Sequence, residues 1–132
     1  MSARSGVGRW HAYMAGGKRA GDLRAMLADD AVFHSPVVHT PQQGADKVFA
    51  YLDAASRVLG SAPDFAYVRT LIDEPHALME FQATIDGISI NGIDLVTFDA
   101  DGRITHFKVM VRPLKAVNKL WEMMGAELAR AG

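Results

Sequence analysis

The side chains that could exchange a proton near neutral pH are scattered along this sequence. His11 belongs to an apolar stripe with the i, i+3, i+4, i+7 spacing of one buried helix face, made of Val7, Trp10, His11 and Met14. Because imidazole has a reference pKa near neutrality, His11 could act there as an acid, a base or an oxyanion donor. The same position equally suits a core histidine bonded to a backbone carbonyl.

A second histidine, His34, directly precedes Ser35 and Pro36 at the end of a short strand pattern that begins at residue 31. Strand alternation should turn His34 and Ser35 to opposite faces, so His34 would face the interior only if the strand is bulged. His39 follows in the next loop, where it could reach a ligand or simply be exposed.

Known cofactor and metal motifs are missing from the sequence. It contains five scattered histidines and no cysteine, and no pair of histidines has helical i, i+4 spacing with a glutamate. The Gly6-Val7-Gly8 segment lacks the third glycine and the preceding strand of a dinucleotide site, and no phosphate-cradling loop with its lysine occurs. We therefore expect no metal and no cofactor.

The composition indicates a single globular domain, residues 1–132. Hydrophobic residues make up 49% of the chain and charged residues 22%, and the net charge of −1 comes from scattered charges. No basic cluster suits nucleic acid or an anionic membrane. No apolar run near the amino terminus is long enough for a signal peptide or a membrane span, so we expect a cytoplasmic protein.

Hydrophobic periodicity predicts helices at both ends of the chain with a sheet between them. Apolar residues repeat at helical spacing over 7–15, 22–27, 48–59 and 114–128, and a short strand is expected at 31–35. From residue 65 the period changes to two, which predicts four antiparallel strands over 65–72, 77–85, 88–98 and 104–111. The expected fold class is α+β.

Three segments resemble a known superfamily. They are Leu23-Arg-Ala-Met-Leu-Ala-Asp-Asp-Ala-Val-Phe-His-Ser-Pro36, the helix-opening Gly44, and Asn91-Gly-Ile-Asp-Leu-Val-Thr-Phe-Asp-Ala-Asp-Gly-Arg-Ile-Thr-His-Phe107. In order and spacing they resemble the nuclear-transport-factor-two-like superfamily, and within it the SnoaL-like group, which includes polyketide cyclases, and the ketosteroid isomerases. The resemblance runs from about residue 7 to Pro113. It implies a cone-shaped, strongly curved, mainly antiparallel sheet wrapped over the amino-terminal helices, to which this chain adds a carboxy-terminal helix.

The resemblance also implies an apolar pocket in the cone, with Asp94 facing inward. Strand alternation then turns the apolar residues of the same phase toward the interior, and these are Met79, Phe81, Ala83, Ile85, Val96, Phe98, Phe107, Val109 and Val111. The expected ligand-binding set combines part of this phase with residues from helices and loops: Trp10, Ser35, His39, Tyr51, Met79, Phe81, Val96, Phe107, Val109 and Trp121.

Asp94 matches the family position whose carboxyl stabilises an oxyanion. A lone carboxyl among apolar neighbours should have a raised pKa, so its protonated form could donate a hydrogen bond to a carbonyl or enolate oxygen. Ketosteroid isomerase is a known example of a protonated aspartate that acts in this way. The alternative is that Asp94 bonds the turn beside it. Ser35 stands where the isomerases carry their basic aspartate, and His11 aligns with their helix tyrosine, so His11 and His34 are the candidate partners of Asp94.

Three hypotheses follow for function. The first is a cofactor-free enzyme of the isomerase, cyclase or dehydratase kind that acts on a small apolar carbonyl compound. The second is a noncatalytic module that binds such a ligand in the same cone, and the third is a dimeric interaction module. The resemblance implies a homodimer formed through the outer face of the sheet. The helix that follows Pro113 could cover the pocket or extend that dimer contact.

Overall fold

The computed structural model describes residues 2–17 and 20–131. Within these residues there are four helices, α1 (Ser2–Ala15), α2 (Ala20–Ala25), α3 (Ala45–Gly60) and α4 (Leu114–Ala131). The strands are β1 (Leu27–His34), β2 (Gln42–Gln43), β3 (Ala66–Asp73), β4 (His76–Ile85), β5 (Ile88–Phe98) and β6 (Ile104–Arg112). The fold is α+β, as the sequence predicts. Among the described residues, no helix is long and apolar enough to cross a membrane.

The strands form one curved, unclosed sheet in the order β2-β1-β6-β5-β4-β3. Strands β3 to β6 are the antiparallel meander that the alternation predicts. The β4–β5 turn has only two residues, Asp86 and Gly87, which have φ angles of 52° and 76°. Positive φ at both positions is what the tightest hairpin turn requires, and Asp-Gly tolerates it.

The amino-terminal part of the sheet differs from the sequence prediction. The second helix ends at Ala25, and strand β1 begins at Leu27, earlier than the expected residue 31. β1 pairs in parallel with β6, and its register shifts between Leu27 and Val32. Sequence periodicity could not reveal this pairing, because it joins segments more than 70 residues apart in the chain.

The concave face of the sheet carries the core, and the predicted strand phase agrees with it. Asp94, Val96 and Phe98 of β5 are buried, and so are Met79 and Phe81 of β4. Helix α1 packs on β4 and β5, and α3 packs on β1 and α4. The cone therefore has helices covering its inner surface, which leaves only part of that surface for a cavity.

The outer face of the sheet carries an apolar row across three strands. Leu71 lies opposite Leu78, and Leu78 lies opposite Leu95. Leu71 is 58% exposed, and Met110 of β6, on the same face of the sheet, is 50% exposed. Apolar side chains exposed together on one face are typical of a protein contact. The homodimer through this face stays a prediction.

Two glycines of α1 allow a matched stability test. Gly6 is buried, and a Cβ atom added there would overlap the ring of Phe98, whereas a Cβ atom at exposed Gly8 would meet nothing within 4 Å. We expect Gly6→Ala to destabilise the protein by about 1–3 kcal/mol through overpacking. Gly8→Ala should stabilise it by about 0.5–1 kcal/mol, since alanine loses less backbone entropy in a helix. Urea unfolding measures both, and equal stabilisation by both changes would contradict this packing of α1.

Candidate functional site

A cavity of about 250 Å³ lies between the sheet and helices α1, α3 and α4. Its wall is built almost entirely from apolar and aromatic side chains. The sheet and its adjoining loops contribute Phe33, Ser35, Pro36, Val37, Val38, Phe65, Tyr67, Asp94, Phe107 and Val109. The helices contribute Trp10, Met14, Tyr51, Leu52, Ala55, Ser56, Val58, Leu59, Leu120, Trp121, Met124, Gly125 and Leu128. A concave apolar site with few polar groups is the usual form of a small-molecule pocket.

Asp94 is the only carboxyl, and the only charged group, among the described residues of this wall. It lies on β5 between Met79 of β4 and Val109 of β6. The residue is only 5% exposed. Burial disfavours the carboxylate and raises the pKa of Asp94 from 3.8 to about 7, although a hydrogen bond from Tyr67 acts in the opposite direction. Near neutral pH, Asp94 is therefore present in both its acid and its base form.

Tyr67 connects Asp94 to the first helix. Its hydroxyl donates to Oδ2 of Asp94 at 2.6 Å, and the same hydroxyl accepts a hydrogen bond from Nε1 of Trp10 at 2.8 Å. Burial first, and then the nearby Asp94 charge, raise the pKa of Tyr67 well above its usual 10. The phenol is therefore protonated throughout the neutral range and acts as a donor.

A β-bulge turns Tyr67 into the cavity. From Asp73 to Arg69 the strands pair in one register, and continuing it would set Tyr67 opposite Gln82 on the outer face. The register shifts between Tyr67 and Arg69, so that Val68 is an extra residue and Tyr67 pairs with Phe81 instead. Strict alternation assigns Tyr67 to the outer face, so the sequence pattern does not identify it as a site residue. Its only sequence signal is an aromatic residue in a strand pattern.

Six of the residues expected to bind a ligand are in the cavity wall: Trp10, Ser35, Tyr51, Phe107, Val109 and Trp121. Tyr51 stacks on Phe33, with ring centroids 5.6 Å apart. The Ser35 hydroxyl oxygen accepts a hydrogen bond from the backbone nitrogen of Val37 at 3.1 Å, which holds the loop that follows β1.

Three expected lining residues, Met79, Phe81 and Val96, have the predicted inward orientation but lie outside the cavity wall. Met79 and Val96 pack in the same core cluster as Trp10, where α1 covers β4 and β5. Phe81 packs against the rings of Phe65 and Tyr67. An inward strand position is thus not sufficient to reach the cavity, because helices and neighbouring rings fill most of the concave face.

None of the three candidate histidines lies in the cavity wall. His11 is half-buried on α1 and packs edge-on against Tyr67 at 5.0 Å, and burial lowers its pKa. His34 faces the opposite side of the sheet, where it stacks on His106 at 5.9 Å, and its pKa is lowered by burial, by Lys108 and by His106. The register shift in β1 ends before His34, so His34 keeps the outward orientation that alternation predicts and does not adopt the bulged, inward one that a partnership with Asp94 would need. His39 is exposed on the loop.

Helix α4 forms part of the cavity wall, as expected if this helix covers the pocket. Leu120 of this helix is buried. Trp121 lines the cavity although it is 64% exposed, so Trp121 lies at the cavity opening. Near the start of the helix, Lys119 bonds Asp86 of the β4–β5 turn at 2.6 Å. Within residues 2–17 and 20–131, no three His, Asp or Glu side chains are grouped as a metal ion would require.

Comparisons with known proteins agree with this architecture. The family described as SnoaL-like domain matches residues 7–107. A steroid delta-isomerase from Pseudomonas aeruginosa is 37% identical, with 98% of this chain and 93% of that chain covered and a TM-score of 0.88. An uncharacterized bacterial protein with a cystatin-like fold from Silicibacter pomeroyi DSS-3 is 28% identical, with 96% and 86% covered and a TM-score of 0.84.

An ntf2-like protein of unknown function from Mesorhizobium loti shares the fold at 18% identity, with 85% of this chain and 92% of that chain covered and a TM-score of 0.71. None of the curated proteins compared matches this chain.

Proposed function

This chain belongs to the SnoaL-like family of the nuclear-transport-factor-two-like superfamily, and we propose that it binds a small apolar carbonyl compound in its cone and isomerises it by proton transfer through Asp94. The similar steroid delta-isomerase supports an isomerase-type activity. Because one fold of this kind hosts many activities, the reaction must be inferred from the residues of the site itself.

One observation carries the proposal: a single carboxyl with a pKa of about 7 lies in the wall of an otherwise apolar cavity. A catalytic acid or base is most effective when its pKa is close to the working pH, because both protonation states are then available. A structural carboxyl has no need of this arrangement, and burying it opposes folding.

The polar side chains of the cavity wall favour Asp94 as the base. Removing a proton from the carbon next to a carbonyl requires a base, and the Ser35 hydroxyl cannot accept a proton at neutral pH without a stronger base beside it. The pKa of Tyr67 is raised, so its hydroxyl stays protonated at neutral pH and cannot serve as a base. Asp94 is the one carboxyl in the described wall, whose other oxygen-bearing side chains are the hydroxyls of serine and tyrosine.

The reaction is a shift of one proton and one double bond. The Asp94 carboxylate takes the proton from the carbon between the carbonyl and the double bond, and the electron pair of the broken C–H bond moves into the carbonyl to form an enolate. The resulting Asp94 carboxylic acid then returns that proton to the far carbon of the double bond, and the conjugated ketone forms. No oxidant, reductant or cofactor is needed, because the same proton and electron pair are retained throughout.

The cavity dimensions favour a ligand larger than one benzene ring. An apolar protein cavity of about 150 Å³ binds benzene, and the cavity in this chain measures about 250 Å³. Aromatic rings on several sides of the wall, such as Phe33, Tyr51 and Phe107, favour a flat apolar ligand.

The test is turnover of a bicyclic ketone whose double bond lies β,γ to the carbonyl, followed by the ultraviolet absorbance of the conjugated product. We expect turnover to rise with pH and level off above about 7, because the carboxylate form of Asp94 is the base. A rate that falls through this range would contradict the assignment of Asp94 as base. Binding of the ketone without any turnover would favour the noncatalytic module and would contradict the proposed enzyme.

A matched pair of variants on α3 checks that the reaction takes place in the cone. Ala55 lines the cavity, whereas Ala50 is exposed on the same helix. Ala55→Trp should fill the cavity and lower kcat/KM at least about tenfold, by steric exclusion. Ala50→Trp should leave it unchanged. Equal effects of the two variants would place the reaction elsewhere.

A further inference from the structure

We infer that Trp10 and Tyr67 are positioning residues that fix, through two consecutive hydrogen bonds, which oxygen of Asp94 faces the ligand. The inference rests on the proposed function, since it describes how the proton-transferring group is held. Neither residue is required to touch the reacting atoms for this role.

The direction of the two hydrogen bonds follows from the chemistry of the donors. An indole nitrogen can only donate, so the bond of 2.8 Å from Trp10 Nε1 makes the Tyr67 oxygen an acceptor. The one proton of the Tyr67 hydroxyl is then directed to Oδ2 of Asp94, 2.6 Å away. Tyr67 therefore has no proton left to donate to a ligand.

This direction assigns different roles to the two Asp94 oxygens. Oδ2 accepts from Tyr67 whether Asp94 is ionised or not, so the acidic proton is left to Oδ1. Among the described residues, no hydrogen-bond partner lies on Oδ1, and it is not among the fully enclosed polar atoms. Since Asp94 lines the cavity, Oδ1 is the oxygen that can take up and return a ligand proton.

Packing keeps both positioning residues in place. The Trp10 ring lies against the rings of Tyr13 and Phe107, at centroid distances of 5.3 and 5.0 Å. Tyr67 is enclosed by Phe65 and by His11, which lie edge-on to its ring at 5.2 and 5.0 Å. Side chains held by packed rings lose little further freedom when a ligand binds, which favours a fixed reacting geometry.

Few titratable groups surround Asp94, so its titration reports on this relay. Tyr67 of β3 and Tyr51 of α3 face the cavity, and α1 contributes His11 beside Tyr67. The cavity residues described on β1, β6 and α4 carry no titratable side chain. The Tyr67 bond is the one that lowers the pKa of Asp94 against the effect of burial.

The experiment compares Tyr67→Phe, Trp10→Phe and a control, Tyr13→Phe. Tyr13 also loses a buried hydroxyl bond in its variant, to Ser56 at 2.9 Å, but it bonds neither Tyr67 nor Asp94. The readouts are the carboxyl carbon-13 titration of Asp94 and the pH profile of turnover. Carbon-13 titration needs no substrate, so it reports on the relay independently of the proposed reaction.

We expect Tyr67→Phe to raise the pKa of Asp94 and to move the rising limb of the pH profile to higher pH. At high pH, kcat should fall about tenfold, because Oδ1 of Asp94 is no longer held toward the ligand, with little change in KM. Trp10→Phe should shift both readouts in the same direction by less, since Tyr67 then becomes a weaker donor. Tyr13→Phe should shift neither.

An unchanged Asp94 titration in Tyr67→Phe, with wild-type turnover intact, would overturn the inference and leave the proposed function standing. If the wild type has no turnover and the titration still shifts as expected, the proposed function fails and the hydrogen-bond direction holds. Should Trp10→Phe fail to fold, the more conservative Tyr67→Phe decides the outcome alone.

Discussion

Replacement of Asp94 by asparagine is expected to lower kcat for the bicyclic ketone by about 10²–10⁴-fold, the usual contribution of a general acid–base group. Asparagine has nearly the same shape as aspartate and can still accept the Tyr67 hydroxyl hydrogen bond. It cannot take up and return a proton. The loss should therefore appear in kcat, whereas KM should change little because the apolar wall is unaltered.

Two measurements separate this outcome from a folding defect. The circular dichroism spectrum of Asp94→Asn should match that of the wild type. Its urea unfolding midpoint should be equal to or higher than the wild-type midpoint. A variant that folds and retains more than about a tenth of the wild-type rate would exclude Asp94 from the proton transfer, because a catalytic acid–base group contributes more than that.

Asp94 should also make the protein less stable as pH rises from about 4 to about 7. Its pKa is 3.8 when exposed and about 7 in the fold, so the folded state binds more protons than the unfolded state between these values. Folding stability then falls with increasing pH in that window and levels off above it. At 1.36 kcal/mol for each unit, a difference of about 3 units amounts to about 4 kcal/mol.

The contribution of Asp94 to stability is isolated by unfolding the wild type and Asp94→Asn in urea at about pH 5 and about pH 8. The advantage of the variant should be about 3 kcal/mol larger at the higher pH, because the asparagine does not titrate. Asp64 and Glu74, whose pKa values are lowered by the hydrogen bonds that their carboxylates accept, act in the opposite direction. They are present in both proteins and cancel in the comparison. A constant difference would contradict the raised pKa of Asp94.

The catalytic partners expected from the sequence illustrate what periodicity alone can assign. The stripe that includes His11 predicts a buried position, whereas the buried face of α1 is centred on Val7, Trp10 and Tyr13. His11 lies at the edge of that face, against Tyr67 and outside the cavity wall. His34 follows strict alternation and faces outward with His106. A sequence pattern identifies the buried side of each element, but it does not specify which buried side chains remain uncovered once the elements pack.

The sequence by itself determined the local features of this protein. Period-two alternation in β4 to β6, the Asp86-Gly87 turn and the apolar stripes of the helices are properties of neighbouring residues, and they place Asp94 on the concave face. Residues adjacent in the chain constrain one another through backbone geometry, so these features can be deduced without knowledge of the fold.

Only the tertiary structure decided how Asp94 is held and how far it is buried. The bulge at Val68 reverses the phase of β3 and brings Tyr67 to Asp94, and a bulge depends on pairing with β4 that local alternation does not encode. Trp10 joins them from a helix 57 residues away along the chain. The pKa of Asp94 likewise depends on the wall that helices and strands build together, because desolvation is a property of the whole enclosure.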